Sequence, residues 1–396
     1  MNRNQMKDPV VIVAARRTPI GAFQGGLSTA SAPELSAAAT GACLRDAGLE
    51  PSAIDEVLLG CVLPAGLGQA PARQAALGAG LSAGTPCTTI NKVCGSGMKA
   101  AMLAHDAILA GSAKIVLCGG MESMSNAPYL LPKARAGYRM GHQQVLDHMF
   151  LDGLQNPADG NMMGHFAELT ADKYGFSRKQ QDDFAIESVR RAQAAIAEGR
   201  FGDEVTPVTV KTRKGTAEIT EDEGPARADV SKIPQLKAAF REDGTVTAAS
   251  SSSISDGAAS LVLMRASEAE RRGLPVLARI CGHSGFAQEP EWFTTSPVFA
   301  IRALHEMLEW SPETVERYEV NEAFAVVAMA AMRDVGIDHA KLNVNGGACA
   351  LGHPIGASGA RLIVTLVHAL RAAGGGRGVA SLCIGGGEAT AIGIEV

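Results

Sequence analysis

Aromatic residues are scarce in this chain of 396 residues: they make up 4%, with 2 Trp and 4 Tyr. A core with so few rings has to be filled by small and aliphatic side chains that let backbones pack closely. No apolar run is long enough to span a bilayer. A basic excess is also missing. Lys+Arg number 36 against 41 Asp+Glu, giving a formal net charge of -5 and a pI near 6.0. That argues against a nucleic-acid protein, which usually carries a basic domain or stripe, although it allows a local basic patch for phosphates. Residues Met1–Asp8 lack the charged, apolar and small-residue sections of a secretory signal. The end Ile394-Glu395-Val396 is not a peroxisomal address. A cytoplasmic location is the expectation. None of the 8 cysteines forms a C-x-x-C pair, so neither a zinc knuckle nor a thioredoxin-type site is indicated. The first strand, Val10–Ala14, leads into Arg16-Arg17-Thr18-Pro19 rather than the glycine-rich turn of a dinucleotide site.

Glycine, by contrast, is abundant at 45 residues, beside an apolar fraction of 46%. The length exceeds what one core usually organises, so two or more domains are expected. Strand candidates (Val10–Ala14, Glu56–Cys61, Lys114–Cys118) alternate with helix candidates (Pro33–Leu44, Ala72–Leu77, Gly97–Leu109). This predicts an α/β fold with a mostly parallel sheet. From Asn126 to Thr245 the chain is more charged, with helices over Met163–Tyr174 and from Arg178 to about Glu198. It reads as an insertion on top of a sheet. Alternation resumes after Asp256. Strands fall at Ser260–Met264, Val276–Cys281, Val379–Ile384 and Ala389–Glu395, and helices at Val298–Leu308, Glu322–Val335 and Ala357–Ala372. The two sheet regions share order and punctuation. One closes in Leu117-Cys118-Gly119-Gly120, the other in Leu382-Cys383-Ile384-Gly385-Gly386, which suggests duplicated halves.

Four segments carry candidate chemistry. Cys94 stands just ahead of a helix in Asn91-Lys92-Val93-Cys94-Gly95-Ser96-Gly97, where the helix dipole and free N–H groups favour a thiolate. His353 lies in a glycine-rich loop opening another helix and can take a proton from a thiol. Cys383 ends a strand ahead of Gly385-Gly386-Gly387, whose consecutive N–H groups suit an oxyanion. A thiol can also remove and return a proton near neutral pH. Asn321 opens Asn321-Glu322-Ala323-Phe324-Ala325. Taken singly, these are a buried Cys, a capping His, a strand-end Cys, a helix N-cap and a core Phe.

Together, and in this order, they resemble the thiolases of the acetyl-CoA acetyltransferase type over essentially the whole chain. The resemblance starts at Val13-Ala14-Ala15-Arg16-Arg17-Thr18-Pro19-Ile20-Gly21. It continues through Cys94-Gly95-Ser96-Gly97, Gly119-Gly120-Met121-Glu122-Ser123-Met124-Ser125, Gly199-Arg200-Phe201, Asn321 to Ala325, Gly352-His353-Pro354 and Cys383 to Gly387. It implies two duplicated halves stacked as α/β/α/β/α with an inserted loop domain. The boundaries expected are 1–125 with 246–272 for the first half, 126–245 for the insertion and 273–396 for the second half.

The resemblance further implies acyltransfer between coenzyme A thioesters through an S-acyl-Cys94 intermediate. His353 is expected to activate Cys94, and Cys383 to act as acid and base at the substrate α-carbon. Asn321 is expected to hold a water that stabilises the enolate, and the N–H groups of Cys94 and Gly385 to stabilise the tetrahedral intermediate. Coenzyme A contacts fall on Arg213, Leu236, Ser252, Met163 and Phe324. No metal and no cofactor are expected, coenzyme A thioesters being substrates. The partners are acyl-CoA molecules, with no nucleic acid and no membrane. A homotetramer or homodimer is expected, with the loop around Ala134–Gly141 joining dimers. Departures from the family pattern are Met162 where His is common, Ser250 where Asn is common, and Glu388-Ala389 after the triple glycine. The alternatives are a broad-chain-length 3-ketoacyl-CoA thiolase, another condensing enzyme, or a non-catalytic carrier. Retention of Cys94, His353 and Cys383 argues against the carrier.

Overall fold

A computed structural model describes residues 8–396. In chain order the first region contains β1 (Val10–Arg17), α1 (Ala32–Ala47), β2 (Glu56–Gly60), α2 (Pro71–Gly78), β3 (Cys87–Ile90), α3 (Ser96–Ala110) and β4 (Ile115–Ser123). Next come α4 (Met163–Tyr174), α5 (Arg178–Ala197) and a small hairpin of β5 (Val208–Thr212) and β6 (Gly215–Ile219). The chain then returns as β7 (Ser255–Arg265) and β8 (Ala278–Ala287), followed by α6 (Ser296–Leu308), β9 (Arg317–Val320), α7 (Ala325–Ala331), α8 (Ile355–Ala372), β10 (Arg377–Ile384) and β11 (Glu388–Glu395). Ser31 caps α1 and Ser177 caps α5, each through a capping box with the residue three positions on, Glu34 and Gln180. The box satisfies two otherwise orphaned N–H groups, which fixes where each helix begins.

The strand order β2-β4-β7-β1 in the first half is matched by β9-β10-β11-β8 in the second. The strand senses match as well. β2–β4 and β9–β10 are parallel, β4–β7 and β10–β11 antiparallel, and β7–β1 and β11–β8 antiparallel. Duplication is therefore visible in topology. The halves meet where β1 pairs β8 through Val11↔Arg279 and Ile12↔Ala278. The expected mostly parallel sheet is corrected: besides the two parallel pairs above, β2–β3 is parallel and every other pairing is antiparallel. The reason is connection length. The Gly385–Gly387 turn is too short for a crossover, so β10 and β11 must form a hairpin. The long segment after β4 brings β7 back in the equivalent place.

The layers follow from three apolar clusters. Leu35, Ala39 and Cys43 of α1 and Ala72 and Ala75 of α2 cover one face of the first half, against Val13, Leu117 and Val262. Ile301 and Leu304 of α6 and Val327 of α7 cover the far face of the second, against Tyr318, Val379 and Ala391. Met98 and Ala101 of α3 and Leu362, Ile363 and Leu366 of α8 fill the space between, touching Leu261 and Leu382. The order is α/β/α/β/α. In the middle layer, a Cβ on Gly97 would lie 2.8 Å from the Ala360 nitrogen, and one on Gly359 would lie 2.4 Å from the Met98 nitrogen. Glycine thus lets the first turn of α3 and the start of α8 touch backbone to backbone. That crossing brings the residues ahead of both helices side by side.

Residues between β4 and β7 are held to the first half by charge. The buried Arg17 guanidinium on β1 meets Glu204 at 2.6 Å and Asp222 at 2.7 Å. Among the described residues no helix is long and apolar enough to cross a membrane.

Candidate active site

The nucleophile candidate sits on a sharp turn. Val93 has φ +45°, an unfavourable conformation for a β-branched residue. The turn is held by side chains on both sides of it. Asn91 Oδ1 accepts from the Val93 N–H at 2.9 Å. Ser96 Oγ accepts from the Lys92 N–H at 2.8 Å and donates to the Val93 carbonyl at 2.6 Å. The strain, of order 1–3 kcal/mol, is offset by these bonds. The Gly385 N–H and the Cys94 N–H both point at the thiol, but burial dominates and pushes it up to about 11. Lost hydration outweighs the helix terminus and the two N–H groups that favour the thiolate. Cys383 is fully buried, close enough to Cys94 for the two sulfurs to interact, and burial pushes its thiol well above the usual range.

His353 opens into the same cavity as Cys94. Burial first, and the nearby Arg361 second, lower the imidazole to about 3, so it stands neutral. Its Nδ1 lies 2.5 Å from Ser358 Oγ, and that hydroxyl donates to the Pro354 carbonyl at 3.0 Å. With its proton committed there, Ser358 accepts from Nδ1–H, which leaves Nε2 as the basic nitrogen. Nε2 lies 3.4 Å from Asn321 Nδ2.

Asn321 follows β9 in a loop, its N–H donating to the Ser381 carbonyl at 3.0 Å. It is not a helix N-cap: α7 begins at Ala325, and the helix expected over Glu322–Val335 starts three residues later. The Arg361 guanidinium reaches Asn321 Oδ1 at 3.5 Å and the buried Glu319 carboxylate at 3.1 Å. Glu322 is buried, accepting from Ser188 at 2.6 Å, Asn343 at 2.8 Å and the Cys349 N–H at 3.1 Å. That network leaves the Asn321 amide facing His353.

Cys94, His353 and Gly385 open into a cavity of about 200 Å³, whose other walls include Met162, Met163, Ser252, Phe240, Phe293 and Phe324. Residues 250–253 run alongside 323–325. The Ser252 N–H donates to the Ala323 carbonyl, and the Ala325 N–H to the Ser250 carbonyl. The same segment reaches His353, whose N–H donates to the Ser253 carbonyl at 3.0 Å. Phe324 and Phe240 meet edge to face at 5.9 Å. Asn321 and Cys383 stand behind the cavity wall. Leu236 is exposed, four residues ahead of Phe240. Arg213 is exposed at the tip of the β5–β6 hairpin and does not line the cavity.

Three features escaped the sequence reading. Ser358 and Arg361 lie five and eight residues after His353, on the helix expected over Ala357–Ala372, where their helical spacing was a usable signal. Glu122 takes N–H groups from Val62 at 3.0 Å, Leu63 at 3.1 Å and Gly356 at 2.9 Å, tying the start of α8 to the loop after β2. Glu388, for which sequence offered no account, forms an ion pair with Lys92.

The comparisons agree with this architecture. The thiolase N-terminal domain family model matches residues 10–267, and the thiolase C-terminal domain model matches residues 274–396. The chain belongs to the thiolase family. Among its relatives, an acetyl-CoA acetyltransferase of Pseudomonas aeruginosa is 49% identical over 97% of this chain and 98% of its own. Acetyl-CoA acetyltransferase 2 of Arabidopsis thaliana is 49% identical over 98% and 97%. In structure, a Bacillus anthracis acetyl-CoA acetyltransferase superposes with TM-score 0.96 at 40% identity, covering 98% of each chain. An Ascaris suum thiolase solved in complex with coenzyme A gives TM-score 0.93 at 41% identity, covering 98% of this chain and 99% of its own.

Proposed function

We propose that this chain is an acyltransferase that condenses two acetyl-CoA molecules to acetoacetyl-CoA and free coenzyme A, and runs the reverse thiolysis. The observation carrying this reading is the convergence of Cys94, a neutral His353 and the Gly385 N–H on one small cavity, with Cys383 and Asn321 directly behind it.

In the proposed path His353 Nε2 takes the Cys94 proton as the sulfur attacks the thioester carbonyl. The N–H groups of Cys94 and Gly385 receive the developing oxyanion. Coenzyme A departs as its thiol, protonated by Cys383, which is left as the thiolate, while His353 keeps the Cys94 proton and returns it when the product is released. The acyl-enzyme is itself a thioester and stays activated. A second acetyl-CoA then loses an α-proton to the Cys383 thiolate, while His353 and a water held by Asn321 stabilise the enolate oxygen. Attack of that enolate on the acyl group releases the product and Cys94. Because burial favours the neutral form of Cys383, its deprotonation is coupled to departure of the first coenzyme A rather than present at rest. Two separate half-reactions give ping-pong kinetics.

Met163, Ser252 and Phe324 are assigned to the acyl group and its pantetheine arm, and Leu236 and Arg213 to the more distant nucleotide. A cavity of about 200 Å³, below the roughly 300–1,000 Å³ typical of drug-sized sites, favours a short acyl chain. We place the boundaries at 1–125 with 246–272, 126–245 and 273–396, and the protein in the cytoplasm. The exposed loop at 134–141, with Met140 at 90% exposure, is assigned to contacts between dimers of a homotetramer. A dimer-sized mass in solution would contradict that assignment.

Thiolysis of 3-ketoacyl-CoAs of graded length tests the reaction. Acetoacetyl-CoA should be cleaved best, and Cys94→Ala and Cys383→Ala should both be inactive. Preference for longer chains would move the reading to a broad 3-ketoacyl-CoA thiolase of fatty-acid degradation. No cleavage by folded protein would overturn it.

A further inference from the structure

Toward the other end of α3 from Cys94, a second cluster of reactive side chains has no part in acyl transfer. His105 and Asp106 lie on α3 of the first half, and His283 on β8 of the second. Both imidazoles turn toward one carboxylate oxygen. Asp106 Oδ1 lies 3.0 Å from His283 Nε2 and 3.4 Å from His105 Nδ1. One donor atom from each residue falls within 4.8 Å of the other two. The rings are edge to face, their centroids 5.1 Å apart. The three residues line a hollow of about 520 Å³ at the junction of the halves.

We propose that His105, Asp106 and His283 form a binding site for a divalent transition-metal ion of the zinc kind. Two imidazole nitrogens and one carboxylate oxygen are a donor set that suits such an ion. In a tetrahedral site with bonds of about 2.0–2.2 Å, neighbouring donor atoms stand roughly 3.3–3.6 Å apart. The two nitrogen–oxygen separations already lie near that spacing, and small rotations of the two rings complete it. His105 is buried, and a histidine binds metal through an unprotonated ring nitrogen. The open hollow leaves the fourth position to water. Cys281 lines the same hollow but is not one of the converging groups. The neighbouring cations have partners of their own. Arg279 and Arg377 face Glu395, and Arg265 donates to the Asp8 and Leu109 carbonyls. A bound ion would staple α3 of one half to β8 of the other.

The site is independent of the acyl-transfer reading and is tested without it. Chelator-stripped full-length protein is titrated with Zn²⁺, and separately with Co²⁺, alongside His283→Gln and Asp106→Asn. One Zn²⁺ per chain, a raised melting temperature, and visible bands of four-coordinate cobalt without a thiolate charge-transfer band are expected. Affinity should fall at least about tenfold in each variant, while metal-free thiolysis rates stay at the parent value. Absence of stoichiometric binding by folded parent protein would overturn the proposal. So would unchanged affinity in both variants, or a thiolate band placing the metal on cysteine.

Discussion

At the scale of single residues, protonation states decide the chemistry. Cys94 is a neutral thiol raised to about 11 by burial, despite two N–H groups that favour its anion. His353 is a neutral imidazole lowered to about 3. Alkylation of Cys94 in the free protein should therefore climb roughly tenfold per pH unit from about pH 7 to 10 without a plateau, since only the thiolate reacts. A plateau at or below about pH 8 would show a resting thiolate. The imidazole's low value has a sign consequence for stability. An unfolded histidine takes up a proton below about 6.5 while His353 resists until about 3, so its burial costs stability as pH falls through that window. The tautomer is set by Ser358. In Ser358→Ala the Nδ1–H loses its acceptor, worth about 1–2 kcal/mol, and kcat should fall about five- to thirtyfold with KM little changed. An unchanged kcat would mean that Ser358 only packs.

At the scale of elements, two loops must be held against each other: the strained turn before α3 and the glycine turn between β10 and β11. The Lys92–Glu388 ion pair joins them, part-exposed at side-chain accessibilities of 25% and 40%. Neither residue lines the cavity, so the pair is expected to act by positioning Cys94 opposite the Gly385 N–H. Glu388→Gln should lower kcat severalfold and slow Cys94 alkylation while leaving the melting temperature nearly unchanged, since part-exposed pairs contribute about 1 kcal/mol or less. The charge-reversed double variant Lys92→Glu with Glu388→Lys should recover part of the loss. If the double variant is worse than either single one, the pair does not act as a clamp.

Sequence made this pair illegible because its partners are 296 residues apart. The strain at Val93 was hidden because nothing local marks a left-handed valine. Helix positions were legible where caps and periodicity agree: the helix expected over Met163–Tyr174 has those bounds. They failed at Asn321, where a good capping residue belongs to a loop that faces His353. Strand positions were legible from β-branched runs, but their sense was not, because it depends on connection length and the partner strand.

At the scale of the whole molecule, duplication explains the site. The repeated strand order lays α3 and α8 together in the middle layer, and their glycine contact at Gly97 and Gly359 sets Cys94 ahead of one helix beside His353 ahead of the other. The second strand–turn unit, β10 to β11, adds Cys383 and Gly385. Repetition was readable from punctuation in the sequence, as were the residues converging here. The supporting contacts of Glu122, Ser358 and Arg361 needed the packed fold.

That Cys94 carries the acyl group is tested by incubating the protein with acetyl-CoA alone and mapping the adduct by mass spectrometry. A single acetyl group on the peptide containing Cys94 is predicted, present in Cys383→Ala and absent in Cys94→Ala. An unmodified parent protein, or an acetyl group that survives in Cys94→Ala, would contradict it.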